Sequence, residues 1–97
     1  MTKDEVRKIQ EIKDFIKKYC EERDWDQFHN AKELAIALSI EASELLGPFR
    51  FKTPKEVDEL FKDLKKREEI EDEMADILYF LVRLAQRYDV DLAEAFD

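Results

Sequence analysis

Two carboxylate pairs, Glu41-Ala42-Ser43-Glu44 and Glu73-Met74-Ala75-Asp76, stand inside the two most apolar stretches of an otherwise heavily charged chain. Between Leu34 and Leu46 the charged residues are Glu41 and Glu44 alone; between Met74 and Val82 the one charged residue is Asp76, with Glu73 just outside. Taking a lone carboxylate out of water costs on the order of several kcal/mol even after relaxation, so an acid in such a place needs a cation, a partner or a raised pKa. Four together ask for a divalent ion, and the fold has to bring the two pairs to one place.

The pattern around them is helical. Val6, Ile9, Ile12, Ile16 and Tyr19 recur at three- and four-residue steps and predict an amphipathic first helix of about five turns. The segment Arg23 to Asn30 breaks the period and predicts a loop rich in aromatics, with Asn30 capping the next helix. Ala31 to Leu46 is apolar almost all round, which predicts a central helix buried on most sides. Gly47-Pro48 ends it, the glycine being expected in the left-handed terminal conformation. Thr53-Pro54 opens a short helix with an apolar face of Val57, Leu60, Phe61 and Leu64. The charged run Lys65 to Glu69 reads as a solvated face or a junction. Ile70, Ile77, Leu81 and Leu84 carry a helix to about Arg87, and Leu92, Ala93 and Phe96 begin another. The expected fold is an all-α helical bundle of four to five helices, oligomeric, in one domain covering residues 1–97.

With charged residues at 43%, one Gly and two Pro, the composition suits long helices joined by short turns. A net charge of −8 argues against a nucleic acid polymer as partner, because phosphate backbones are bound by clustered Lys and Arg. A small phosphorylated substrate fits, since a metal ion bridges phosphates to acids. No apolar run reaches the roughly 20 residues that span a bilayer, and the start lacks a signal-peptide apolar segment, so the expectation is a soluble cytoplasmic protein with no membrane partner. Cys20 is a lone cysteine, read as a half-buried helix residue.

Residues three apart on a helix lie roughly 60° apart on one face, so each acidic pair points one way. Leu34, Leu38, Glu41 and Leu45 form one stripe and Ile70, Glu73, Ile77 and Leu84 another, which puts Glu41 and Glu73 on inward faces. Packed helices lie about 8–10 Å apart, a gap that acidic side chains close around small cations. All-oxygen ligands favour Mg²⁺, with Mn²⁺ second, and the absence of a Glu-x-x-His pair argues against a bundle di-iron site.

The acidic pattern, Glu-x-x-Glu, a spacer of residues 45–72, then Glu-x-x-Asp, resembles that of the all-α nucleoside triphosphate pyrophosphohydrolases of the MazG type. The resemblance extends to Glu22-Arg23-Asp24-Trp25-Asp26-Gln27-Phe28-His29-Asn30 and to Phe49-Arg50-Phe51-Lys52, which look most like the dCTP pyrophosphatase branch. It implies hydrolysis of a nucleoside triphosphate, dCTP or a modified nucleotide among the candidates, to monophosphate and pyrophosphate, a house-cleaning of the nucleotide pool. Glu41, Glu44, Glu73 and Asp76 are then the Mg²⁺ ligands, with Glu41 or Glu44 also assisting catalysis as base. Trp25, His29, Phe51, Lys52 and Phe80 fall at substrate-binding positions. For Trp25 the alternative is core packing, and for His29 a loop-fixing role. Lys52 and Arg83 are cations available to phosphates.

The sequence departs from that pattern in places. Gly47-Pro48 replaces a helical continuation that often carries a further glutamate, and Ile16 stands where dCTP-specific relatives can place a histidine. Relatives continue into a further helix with Lys, Asn and Tyr beyond the position of Asp97, so truncation or a different grip on the substrate is expected. The expected partners are a nucleoside triphosphate and further copies of the chain, as homodimer or homotetramer. Two other readings stay open: an inactive or trimmed homologue acting as a helical scaffold, and phosphoribosyl-ATP hydrolysis, against which the Trp25 segment argues.

Overall fold

Polar residues at the helix ends decide where each helix begins in the computed structural model, which describes residues 1–97. Helix α1 (Lys3–Val6) is a single turn closed by a reciprocal cap between Thr2 and Glu5. Helix α2 (Ile9–Glu22) restarts after an extended Arg7, with the Glu11 carboxylate accepting from the Lys8 N–H at 3.2 Å. The first helix predicted from Val6 onward is therefore two helices. Asn30 caps α3 (Ala31–Leu46) by accepting from the Glu33 N–H at 2.9 Å, as its position predicts. A 3₁₀ turn (Gly47–Phe49) comes next. Thr53 and Glu56 cap α4 (Pro54–Leu60) reciprocally, and Asp63 and Asp91 cap α5 (Leu64–Arg87) and α6 (Leu92–Phe96). The molecule is all-α, and the two one-turn helices α1 and α6 take the number to six. No helix is long and apolar enough to cross a membrane.

Two aspartates take the role that glycine usually has at helix ends. After α2, Asp24 takes φ 56° while the Trp25 N–H donates to the Cys20 carbonyl at 3.0 Å and the Asp24 N–H to Glu21 at 3.1 Å. This is the Schellman closure, and aspartate tolerates its left-handed residue better than most side chains. After α5, Asp89 takes φ 53° and the Val90 N–H reaches the Ala85 carbonyl at 2.9 Å. Gly47, by contrast, sits at φ −46°, ψ −54°, inside the right-handed helical region. The left-handed ending expected there does not form; the helix tightens into a 3₁₀ turn instead.

Helix α5 is the spine: α3 packs along it and α2 lies against its second half. Ile16, Cys20 and Val82 form the core, flanked by Ile12, Tyr19, Trp25, Tyr79 and Leu92. Leu34 and Ile70 are buried in the α3 and α5 stripes. Across the gap between α3 and α5 the Ala31 N–H donates to the Tyr88 hydroxyl at 2.7 Å, fixing where α3 starts. Only Leu34 of α3 is fully buried. Ile36, Ile40 and Leu46 are exposed, so the burial expected on most sides of this helix is absent from the single chain.

Candidate metal centre and aromatic cavity

Packing of α3 on α5 turns Glu41 toward Glu73 and Asp76, and one carboxylate oxygen from each lies within 4.8 Å of the others. Glu41 and Glu73 are half-buried and Asp76 is exposed. The Oε2 atoms of Glu41 and Glu73 are buried without any hydrogen-bond partner. Buried acceptors facing one another unpartnered are costly in a chain by itself, and a hard cation with oxygen ligands satisfies both. The same crowding acts on protons. Partial burial, then the Glu44 charge, the adjoining Glu73 carboxylate and Asp76 push Glu41 up to about 7. Glu44, one turn further along α3, is exposed and stands outside the converging group, although its charge reaches Glu41.

Glu41 and Asp76 also line a cavity of about 650 Å³ whose other walls are aromatic. Helix α2 supplies Phe15 and Tyr19, four residues apart and stacked with ring centroids at 6.1 Å. The loop after α2 adds Trp25, Phe28 and His29; Trp25 meets Tyr19 edge-on at 5.6 Å and His29 at 5.8 Å. The Schellman closure places Trp25, because its own N–H is the group that ties the loop back to α2. Helix α5 adds Tyr79 and Phe80. The Tyr79 hydroxyl shares a hydrogen bond with the buried Cys20 Sγ at 3.2 Å, and burial together with that contact holds the phenol above its ordinary pKa, hence protonated. Cys20 is fully buried rather than half-buried as the sequence suggested. A cavity of this size with flat walls and an acidic rim suits a planar ring attached to an anionic group that a cation can bridge.

Of the residues that the resemblance puts at substrate-binding positions, Trp25, His29 and Phe80 line the cavity. Phe51 and Lys52 do not. Phe51 is 95% exposed, at φ 60°, a strained backbone for a bulky residue. Lys52 lines a separate cleft with Gly47, Pro48, Leu60, Lys66 and Glu69. Arg83, considered as a cation for phosphates, has no exposed surface and is committed to the loop before α3. Phe15, Tyr19, Phe28 and Tyr79 were missed as cavity residues. For α2 the readable signal was a pair of aromatics at i and i+4 beside the Ile12–Ile16 stripe; for Phe28 it was membership of the aromatic loop segment beside Trp25 and His29, whereas Tyr79 carried none, since its direction depends on the rotation of α5.

A family model described as MazG-like matches residues 36–97, a span that contains both acidic pairs. The chain belongs to the MazG-like family. It is 36% identical over 87 residues to "dCTP pyrophosphatase 1" of Mus musculus, covering 90% of this chain and 51% of that protein. It is likewise 36% identical over 84 residues to "dCTP pyrophosphatase 1" of Homo sapiens, covering 87% of this chain and 49% of that one. The chain therefore spans about half the length of the curated relatives it matches. In this MazG-like chain the acids between α3 and α5 and the aromatic cavity beside them form one continuous site.

Proposed function

We propose that this MazG-like chain hydrolyses a nucleoside triphosphate to the monophosphate and pyrophosphate, a cytoplasmic house-cleaning activity on free nucleotides, with the base in the aromatic cavity. The observation that carries this reading is that Glu41 and Asp76 belong both to the carboxylate cluster and to the cavity wall, so phosphates bound at the acids have their base among the rings. Similarity to the dCTP pyrophosphatases of mouse and human supports the choice of reaction. Trp25 and Phe80 offer the flat faces on which a base stacks, worth about 1–3 kcal/mol per base.

Glu41, Glu73 and Asp76 would hold the divalent ion, Mg²⁺ being the best fit to an all-oxygen set, with Mn²⁺ second. When bound, that ion supplies charge neutralisation for the phosphates and an acidified water. Glu44, outside the converging three, keeps its carboxylate free to complete the ligand set or to take the proton of the attacking water. Water oxygen adds to the α-phosphorus, the bond from that phosphorus to the α-β bridging oxygen breaks, and pyrophosphate leaves with the electron pair. Glu41, the other candidate for that proton, lies at the cavity wall, while Glu73 and Asp76 would hold the ion.

Self-association belongs to the same reading. Ile36 and Ile40 lie on one face of α3, and Met74, Leu78 and Leu81 on one face of α5, all exposed in the single chain. Only seven of the 97 residues are fully buried, so a homodimer or homotetramer that covers these faces supplies apolar burial the chain alone lacks. Phe51 and Lys52, remote from the cavity of their own chain, then reach a substrate only from a second copy. Sedimentation equilibrium checks the association, and a monomer at micromolar concentration overturns it.

A panel of ordinary and modified nucleoside triphosphates, incubated with the chain and Mg²⁺ and analysed for monophosphate and pyrophosphate, tests the activity. Turnover should vanish in Glu41→Gln and Glu73→Gln while helical circular dichroism is retained. Helical wild-type protein that releases pyrophosphate from no nucleotide would leave the scaffold reading in its place.

A further inference from the structure

Arg83 is the one charged residue with no exposed surface, and it lies in the apolar part of α5 behind the aromatic cavity. Each nitrogen of its guanidinium faces a different acceptor. Nε donates to His29 Nδ1 at 2.9 Å, one terminal nitrogen donates to Gln86 Oε1 at 2.5 Å, and the other pairs with the Asp26 carboxylate. Arg87, one turn on, donates to the backbone carbonyls of His29 and Asp26, both at 3.3 Å. Two arginines of α5 therefore pin the loop that carries Trp25, Phe28 and His29.

The contact with His29 has a chemical consequence. A guanidinium has donors and no acceptor and stays protonated in proteins, so the ring nitrogen it touches must present a lone pair. Nδ1 of His29 is then unprotonated, a doubly protonated ring is disfavoured, and the single proton of the neutral imidazole sits on Nε2. Nε2 makes no hydrogen bond within the chain, and the ring lines the cavity. Burial first, and then the Arg83 charge, hold His29 below the ordinary imidazole range, with Asp26 opposing, which agrees with a neutral ring.

We propose that Arg83 is a positioning residue that locks His29 in the Nε2–H form, so that the cavity presents one fixed N–H donor to a carbonyl oxygen or an unprotonated ring nitrogen of the bound base. The tautomer follows from the protein alone. The role toward a base rests on the nucleotide reading of the cavity. A ring that turns a donor toward Nε2 leaves two N–H groups facing each other, and the pocket rejects it; a ring with an acceptor there is accepted. Arg83 thereby selects among bases without touching them.

The chain has a single histidine, so nitrogen-15 NMR of ring-labelled protein reads His29 without ambiguity. The expected spectrum near neutral pH has an unprotonated Nδ1 and a protonated Nε2; a proton on Nδ1, or rapid exchange between the two forms, overturns the proposal with no mutant required. Addition of an α,β-imido pyrimidine nucleoside triphosphate with Mg²⁺ should move the Nε2–H resonance in the direction of a stronger hydrogen bond. Binding of that nucleotide with an unmoved Nε2–H overturns the role toward the base. Binding of no nucleotide overturns the site reading and that role together, while the tautomer result stands by itself.

Arg83→Met, which keeps the bulk and removes the donors, should let both tautomers appear and raise KM for the preferred nucleotide about tenfold, the loss expected for one good hydrogen bond, with kcat within about threefold. A variant that folds, keeps the wild-type tautomer and keeps KM refutes Arg83 as the cause. If it does not fold, the wild-type spectra still decide the tautomer and the contact.

Discussion

A proton and a divalent cation compete for Glu41, and that competition sets a measurable pH dependence. The group is raised from 4.5 in the unfolded chain to about 7 in the folded one, by partial burial first and then by Glu44, Glu73 and Asp76. In the metal-free protein the folded state therefore holds more protons between those values; the stabilising contribution of Glu41 is fully present below about 4.5 and is lost as pH rises through about 7. Cation binding runs the other way, because the ligand must be deprotonated. With one proton displaced, the fraction of Glu41 ready to bind goes from about one in eleven at pH 6 to about ten in eleven at pH 8, so apparent affinity should rise about tenfold. The assay is thermal unfolding against Mg²⁺ concentration at pH 6, 7 and 8, each referred to its own metal-free control, since a ligand of the folded state raises stability with concentration. The concentration giving a fixed rise in Tm should fall about tenfold from pH 6 to pH 8 in wild type and stay nearly constant in Glu41→Gln. Equal concentrations at both pH values in the wild type, or a tenfold change that survives in Glu41→Gln, would refute the argument that Glu41 holds the competing proton.

Gly47→Ala should fail to give the gain of about 0.4–1 kcal/mol that this change brings at an ordinary helical position, because Gly47 holds helical angles directly before Pro48, whose ring crowds a Cβ there even though nothing beyond its chain neighbours lies within 4 Å; a gain of that size in urea unfolding contradicts this. Leu34→Ala removes the fully buried side chain of α3 and should cost about 2–5 kcal/mol by the same measurement, a loss under 1 kcal/mol showing that α3 and α5 do not pack as described. Cys20, with no exposed surface and bonded to Tyr79, should react with an aromatic disulfide reagent only at the rate of unfolding; fast labelling of folded protein refutes its burial.

Local chemistry was legible residue by residue. Asn30, Thr53 and Pro54 marked helix starts, the three- and four-residue apolar steps marked the helices, and the isolation of Glu41, Glu44 and Asp76 among apolar residues, with Glu73 at the edge, marked four candidate ligands. These are properties of short stretches, and a helix fixes which of its residues share a face before it meets any partner. Even so, Val6 joined its own short helix because the Glu11 carboxylate caps the Lys8 N–H, a competition between two weak caps that apolar spacing does not register.

What the chain by itself determined, then, is a set of helices with two inward acids and an aromatic loop; how they meet was decided by tertiary structure. Helical period says nothing about the rotation of α5 against α3, and that rotation brings Asp76 into the cluster and leaves Glu44 outside it. Nor does it give the path of the loop after Asp24, which carries Trp25, Phe28 and His29 to the rings of α2 and α5 and commits Arg83 to Asp26 and His29 instead of to a phosphate. The physical reason is that sidedness is a property of one helix, whereas a cavity and a buried ion pair depend on the relative placement of three segments, which is fixed only when the core between them closes.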